Sequence, residues 1–212
     1  MEKNLILVGG GGHCKSIIEI AECLNYNIIG ILEQPSELGK NILGHHKVIG
    51  VDDDMAKYSD KALFIVSVGN IKSASLRKKL HEKIKIAEGK LATIVAPTAH
   101  ISKHAIIGAG TAIMNFAMIN ADVTIGTGCI INTYCNIEHD VTLGDFCHIS
   151  TGAMVNGNCI IGNDVFIGSN ATISNGITIC DNCIIGAGAV VIKNITKPGL
   201  YVGNPAILKK EW

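Results

Sequence analysis

Proline is scarce: the 212 residues hold four, and none lies between Thr98 and Lys197. Because proline lacks the N–H that a sheet ladder needs, that whole segment is free to pair. Excess charge is missing too. Lys+Arg and Asp+Glu both number 18, which gives neither a basic footprint for nucleic acid nor a polybasic membrane patch. Although 48% of residues are hydrophobic, no unbroken apolar run approaches the roughly 18 residues of a membrane span. The opening "MEKNLILVGGGG" has too short an apolar stretch for a signal peptide and breaks into glycines, so a cytoplasmic address is expected. Among eight cysteines, Cys180 and Cys183 form the one C-x-x-C. No second pair stands at zinc-finger spacing, and no metal is expected.

What is present instead is a period of six. From Ile101 to Thr196 the chain reads as sixteen hexads without an insertion. Their first position is Ile, or Leu143, Val155 or Val191; the fifth is always small or β-branched. The fourth is Gly, Asn or Asp in twelve of the sixteen, the residue types that tolerate left-handed corners. A strand-forming pair and a corner in every hexad predict a hexapeptide β-helix. Glycines at 108, 126, 144 and 162 recur every 18 residues, which predicts three hexads per coil and a triangular prism of about five coils. Cys129, Cys135, Cys147, Cys159 and Cys183 occupy the small fifth position and read as interior filler in a reducing compartment.

Residues 1–96 lack the hexads. "NLILVGGGGH" is a strand that breaks into glycines, "CKSIIEIAECL" has helical spacing, and "NIIGILE" and "ALFIVSVGN" read as further strands. They predict a small β-α-β unit with a parallel sheet. "SASLRKKLHEKI" reads as a helix with its basic face outward. Gly9–Gly12 would let a phosphate approach a helix N-terminus. The G-x-G-x-x-G fingerprint is incomplete, because its third glycine is Cys14, and this disfavours NAD. Glu33 ends the second strand, where a carboxylate commonly holds a ribose hydroxyl. The boundary between the two domains is expected at residues 96/97, with a C-terminal cap closing the prism.

Residues 18 apart stack on one edge or face. His139 therefore stands beside Gly157 in the column Ala121, His139, Gly157, Asn175. A base next to an approachable backbone N–H suits a small reacting centre, with that amide as donor for an oxyanion. Thr151, Ser169 and Ala187 form a second edge of small residues along which a long thin ligand could lie. Asp140 is an ordinary corner residue by position, and His148, at a sixth position, could simply point outward. His45, His46, His81, His100 and His104 have no comparable context, and no role is assigned to them.

"GGGGH", "VSVGN", the unbroken hexads with "IEHD" and the terminal "GLYVGNPA" resemble the left-handed β-helix acyltransferases. More narrowly, they resemble nucleotide-sugar acetyltransferases of the sialic-acid O-acetyltransferase and bacillosamine N-acetyltransferase type. The resemblance implies an α/β, Rossmann-like N-terminal domain followed by a left-handed parallel β-helix. It implies His139 as general base, Asp140 as the carboxylate that raises its basicity, and Asn132 as a supporting polar residue. His148, Ser169 and Ala187 match positions along the acetyl-CoA groove. Gly11, Gly12 and His13 match the nucleotide-sugar loop, and Glu33, Gln34 and Gly69 further contacts to it. Glu33-Gln34 departs from the aspartate pair of close relatives.

The implied reaction is acetyl transfer from acetyl-CoA to the amine of a nucleotide-linked aminosugar, in a homotrimer with clefts between neighbouring prisms. O-acetylation of a sialic-acid-like sugar is the alternative within the enzyme class. A non-catalytic nucleotide-sugar-binding scaffold is the alternative outside it.

Overall fold

The computed structural model describes residues 3–212. The chain divides into two compact units. One holds the chain as far as Gly69 together with Ser75–Pro97; the other holds Asn70–Ala74 and Thr98–Trp212. The chain passes between the units at 97/98, and residues 70–74 belong with the second unit.

The first unit contains β1 (Lys3–Val8), α1 (Gly12–Cys23), β2 (Tyr26–Leu32), β3 (Asn41–Ile42), β4 (His46–Gly50), β5 (Leu63–Val66), α2 (Ser75–Ile86) and β6 (Lys90–Leu91). They form one sheet in the order β3-β4-β2-β1-β5-β6. All its pairings are parallel except the β3–β4 hairpin. The sheet is thus larger than a single β-α-β unit. Central strand β1 reads as an unbroken apolar run because both its faces are covered: Leu5, Ile6, Leu7 and Val8 are fully buried. Helix α2 differs from the expectation of a wholly solvated basic face. Arg77 is buried and its Nη1 donates to the carbonyls of Val66 and Val68, satisfying backbone acceptors where β5 ends.

In the second unit the hexads contribute short strands that pair, parallel and in register, with the strand 18 residues on, until the last coil, where the spacing falls to 16. Met118, Asn136, Met154, Thr172 and Val190 form one such row. Three sheets result, one per face of the prism. First-position side chains line the interior: Ile119, Ile137, Val155 and Ile173 are fully buried. Every fourth position from Gly110 to Gly188 takes a left-handed φ. That includes Phe116, Tyr134 and Phe146, for which the conformation costs about 1–2 kcal/mol each. The ladder therefore holds the corner even where the residue resists it. The second-position glycines answer to a different constraint. A Cβ on Gly144 would stand 2.8 Å from the backbone carbon of Gly162 in the next coil.

The fifth-position cysteines are buried, free thiols, and those of Cys135, Cys147 and Cys159 meet carbonyls of the following coil at 3.0 Å. Burial pushes the Cys135 thiol up to about 12, so it stays protonated. At the far end Gly199–Val202 extends one of the ladders and Ile207–Glu211 pairs antiparallel to it.

The left-handed corner predicts a graded response at exposed Asn158, whose φ is 59°. Asn158→Gly should keep the unfolding midpoint, while Asn158→Val should lower stability by about 1–2 kcal/mol, measured by denaturant titration.

Candidate active site

His139 occupies a third position and Asp140 the corner that follows it, with φ 62°. Asp140 Oδ2 accepts a hydrogen bond from His139 Nδ1 at 2.7 Å. Asp140 is thus both a corner residue and a partner. Because the carboxylate can only accept, Nδ1 carries the hydrogen and Nε2 presents its lone pair outward. The ring lies over Gly157. A Cβ there would fall 2.7 Å from His139 Cε1 and 2.9 Å from Nε2, so only glycine leaves the imidazole its place.

The hydrogen bond that His139 donates to Asp140 raises the His139 pKa above its ordinary value, against a smaller opposing effect of desolvation and with help from the charges of Asp140 and Glu138. Glu138 had no role assigned from sequence. Its carboxylate accepts from Asn136 Nδ2 at 2.9 Å and Asn120 Nδ2 at 2.8 Å, and these bonds hold it below the usual carboxylate range. A fixed negative charge therefore stands directly before the base.

A second polar cluster surrounds His148, which does not point outward. It is buried, its ring stands edge-on to Phe166 at 5.1 Å, and its Nδ1 lies 2.6 Å from the Asn70 carbonyl. A carbonyl only accepts, so Nδ1 is the protonated nitrogen. Nε2 then accepts from Asn132 Nδ2 at 3.3 Å. Asn132 Oδ1 in turn accepts from the Thr133 N–H at 2.8 Å. The imidazole is locked as one neutral tautomer. Nothing local in the sequence pairs Asn70 with His148. On the neighbouring edge, half-buried Ser169 shares a 3.0 Å hydrogen bond with Ser150, and Ala187 and Thr151 are exposed.

In the first unit the glycine loop joins β1 to α1. Gly9 requires its identity: φ is 105° and a Cβ would collide with Val68. A Cβ on Gly11 or Gly12 would meet nothing within 4 Å, and no acidic residue occupies the first turn of α1. The helix start therefore presents uncrowded backbone at Gly11 and Gly12, an arrangement suited to a phosphate. His13 adjoins Gly69, a Cβ on which would stand 3.8 Å from His13 Cβ.

Glu33 is more committed than its strand-end position suggests. One carboxylate oxygen accepts from the Gly10 N–H and the other from the Gln34 N–H at 2.9 Å. Its first task is to brace the loop. Gln34 is exposed beside it. Cys14, standing where the dinucleotide fingerprint has glycine, is fully buried, and burial pushes its thiol up to about 11.

Comparison with known proteins gives independent information. Residues 4–84 match the PglD N-terminal domain, and residues 104–135 and 158–193 match the bacterial transferase hexapeptide (six repeats). The stretch between those hexapeptide blocks carries His139, Asp140, His148 and Gly157. Perosamine N-acetyltransferase from Caulobacter crescentus, solved as a histidine-to-asparagine variant with CoA and GDP-perosamine, superposes with a TM-score of 0.92. It is 30% identical over 98% of this chain and 97% of its own. The acetyltransferase domain of PglB from Neisseria gonorrhoeae, solved with acetyl coenzyme A, gives a TM-score of 0.91. That domain is 32% identical over 98% of this chain and 100% of its own.

The chain belongs to the left-handed β-helix nucleotide-sugar acetyltransferases. A curated member of this acetyltransferase family, UDP-N-acetylbacillosamine N-acetyltransferase from Bacillus subtilis, is 34% identical over 117 residues, 53% of this chain. That match spans about half the length of the curated relative, 51%. With the family established, the coil is left-handed, against the preference that governs ordinary parallel crossovers. Among the described residues, no helix is long and apolar enough to cross a membrane.

The pair predicts a titration. By NMR, the His139 imidazole should titrate above its ordinary value of about 6.5, and Asp140→Asn, which tolerates the same corner, should return it toward that value. Since the folded-state pKa is the raised one, the pair's contribution to stability is present below the unfolded pKa and fades as pH rises through the folded one.

Proposed function

We propose that this protein moves the acetyl group of acetyl-CoA to the amino group of a nucleotide-linked aminosugar of the UDP-4-amino-sugar type. The supporting observation is the His139–Asp140 pair seated over Gly157, in a chain whose relatives of nearly equal length were solved with CoA, acetyl-CoA or GDP-perosamine.

The amine nitrogen attacks the thioester carbonyl carbon while His139 Nε2 accepts one of its protons. Asp140 holds the ring in the tautomer that leaves Nε2 free, and stabilises the imidazolium that forms. The carbonyl oxygen gains negative charge. Gly157 N–H is the candidate donor for it, because the coil-to-coil ladder does not take up third-position N–H groups. Those of Thr127, Asp145 and Asn163 are met instead by side-chain oxygens one coil on. The tetrahedral intermediate then collapses, the C–S bond breaks, and the CoA thiolate takes a proton as it leaves. No covalent enzyme intermediate is needed, since the thioester is already activated.

His148, Ser169 and Ala187 line the acetyl-CoA groove, with Asn132 keeping the His148 ring in one orientation. Gly11 and Gly12 receive the phosphates at the start of α1, and His13, Glu33, Gln34 and Gly69 surround the nucleotide sugar. The protein works as a cytoplasmic homotrimer.

Offering UDP- and GDP-linked 4-amino sugars with acetyl-CoA and following thiol release tests this directly. His139→Ala should cut kcat by about 10²-fold or more with an unchanged melting temperature. Near-normal turnover in that variant, or no thiol release with any acceptor, would remove the assignment. The base must be neutral to act, so the rate should climb with pH through the raised His139 pKa. Asp140→Asn should move that acidic limb to lower pH.

A further inference from the structure

Two consecutive histidines without a role, His45 and His46, meet the end of a helix. Residues 43–45 form the tip of the β3–β4 hairpin and His46 opens β4, while Glu22 lies in the last turn of α1. Glu22 Oε1 stands 2.8 Å from His46 Nε2 and 3.4 Å from His45 Nε2. The two rings are 4.1 Å apart and tilted by 42°, and one donor atom from each of the three residues lies within 4.8 Å of the others.

Glu22 Oε1 has lone pairs enough to accept from both rings, so an ion pair accounts for part of this convergence. A second protonated imidazole 4.1 Å from the first would add like-charge repulsion to the gain. Two neutral imidazoles and a carboxylate, by contrast, are the donors that Zn²⁺ takes at about 2.0–2.2 Å, and tetrahedral bonds of that length separate donor atoms by about 3.3–3.5 Å. The His45–Glu22 separation already fits. The His46–Glu22 separation must open by roughly half an ångström once the shared proton leaves for solvent. His45 and Glu22 are exposed, so water can fill a fourth position and the ion has an open approach.

We propose that Glu22, His45 and His46 form a binding site for a zinc-class divalent cation, with each histidine ligating through Nε2. The site ties the last turn of α1 to the hairpin tip. Leu43 at φ 48° and Gly44 at φ 83° already set the tight turn that carries His45. The same hairpin packs Ile42 against the glycine loop, since a Cβ on Gly10 would fall 2.8 Å from Ile42 Cδ1. A bound ion would therefore fasten a segment that borders that loop.

Calorimetric titration of the full, tag-free, EDTA-dialysed chain with ZnCl₂ tests the site without reference to activity. One equivalent per chain is expected. His45→Ala, His46→Ala and Glu22→Gln should each weaken binding by about 10-fold or more, and His139→Ala and Cys180→Ser should leave it intact. Zinc should also raise the melting temperature of the wild-type chain and of His139→Ala, but not of His46→Ala. Exposed His45 is a variant whose folding is secure, so its result stands even if His46→Ala misfolds. The proposal is overturned if zinc binding is undetectable at millimolar concentration, if it is unchanged by the His45 and Glu22 variants, or if it is lost instead with Cys180 or His139.

Discussion

Everything chemical in the second unit depends on one backbone constraint, the parallel ladder that sets each residue beside the one 18 further along. Bonds such as Glu138 N–H to the Val155 carbonyl and Asn158 N–H to the His139 carbonyl, at 2.9 and 3.0 Å, fix adjacent coils with no freedom to slip. A one-residue slip would turn Ile137 outward and move a side chain under the imidazole. Since the ladder repeats on three faces, the position of His139 over Gly157 is a property of the whole rod.

On that rigid base the electrostatics are simple. Asp140 bonds directly to the imidazole and Glu138, held ionised by Asn136 and Asn120, precedes it in the chain. Both favour the protonated ring, so His139 is a stronger base than a free histidine. His148 has the opposite character. It is buried, bonded at both nitrogens and held neutral in one tautomer, which suits a fixed polar wall better than a proton carrier. Two histidines nine residues apart thus differ in chemistry because one stands at an open corner and the other within a strand.

Much of this could be read from spacing. The six-residue period gave the prism, the interior Ile row and the buried cysteines, and the 18-residue period put Gly157 beside His139. Three features escaped for physical reasons. Phe116, Tyr134 and Phe146 are poor corner residues in isolation, yet the ladder forces them left-handed. Asn70, which fixes His148, lies 78 residues away and outside any repeat. Glu33 turns its carboxylate onto the glycine loop's own backbone, a choice made by three-dimensional proximity to Gly10. The Glu22–His45–His46 cluster is likewise invisible to pattern, because it joins a helix end to a hairpin tip 23 and 24 residues on.

The central proposal is geometric: His139, its basicity raised by Asp140, sits over Gly157 and is proposed to serve an amine and a thioester there. A crystal structure of the wild-type protein with CoA and an aminosugar nucleotide tests it most directly. The acceptor nitrogen is predicted within about 3.2 Å of His139 Nε2, with the CoA sulfur near it and the Gly157 N–H facing the carbonyl position. An acceptor amine bound beyond reach of His139, or a CoA sulfur on another face of the prism, would contradict it.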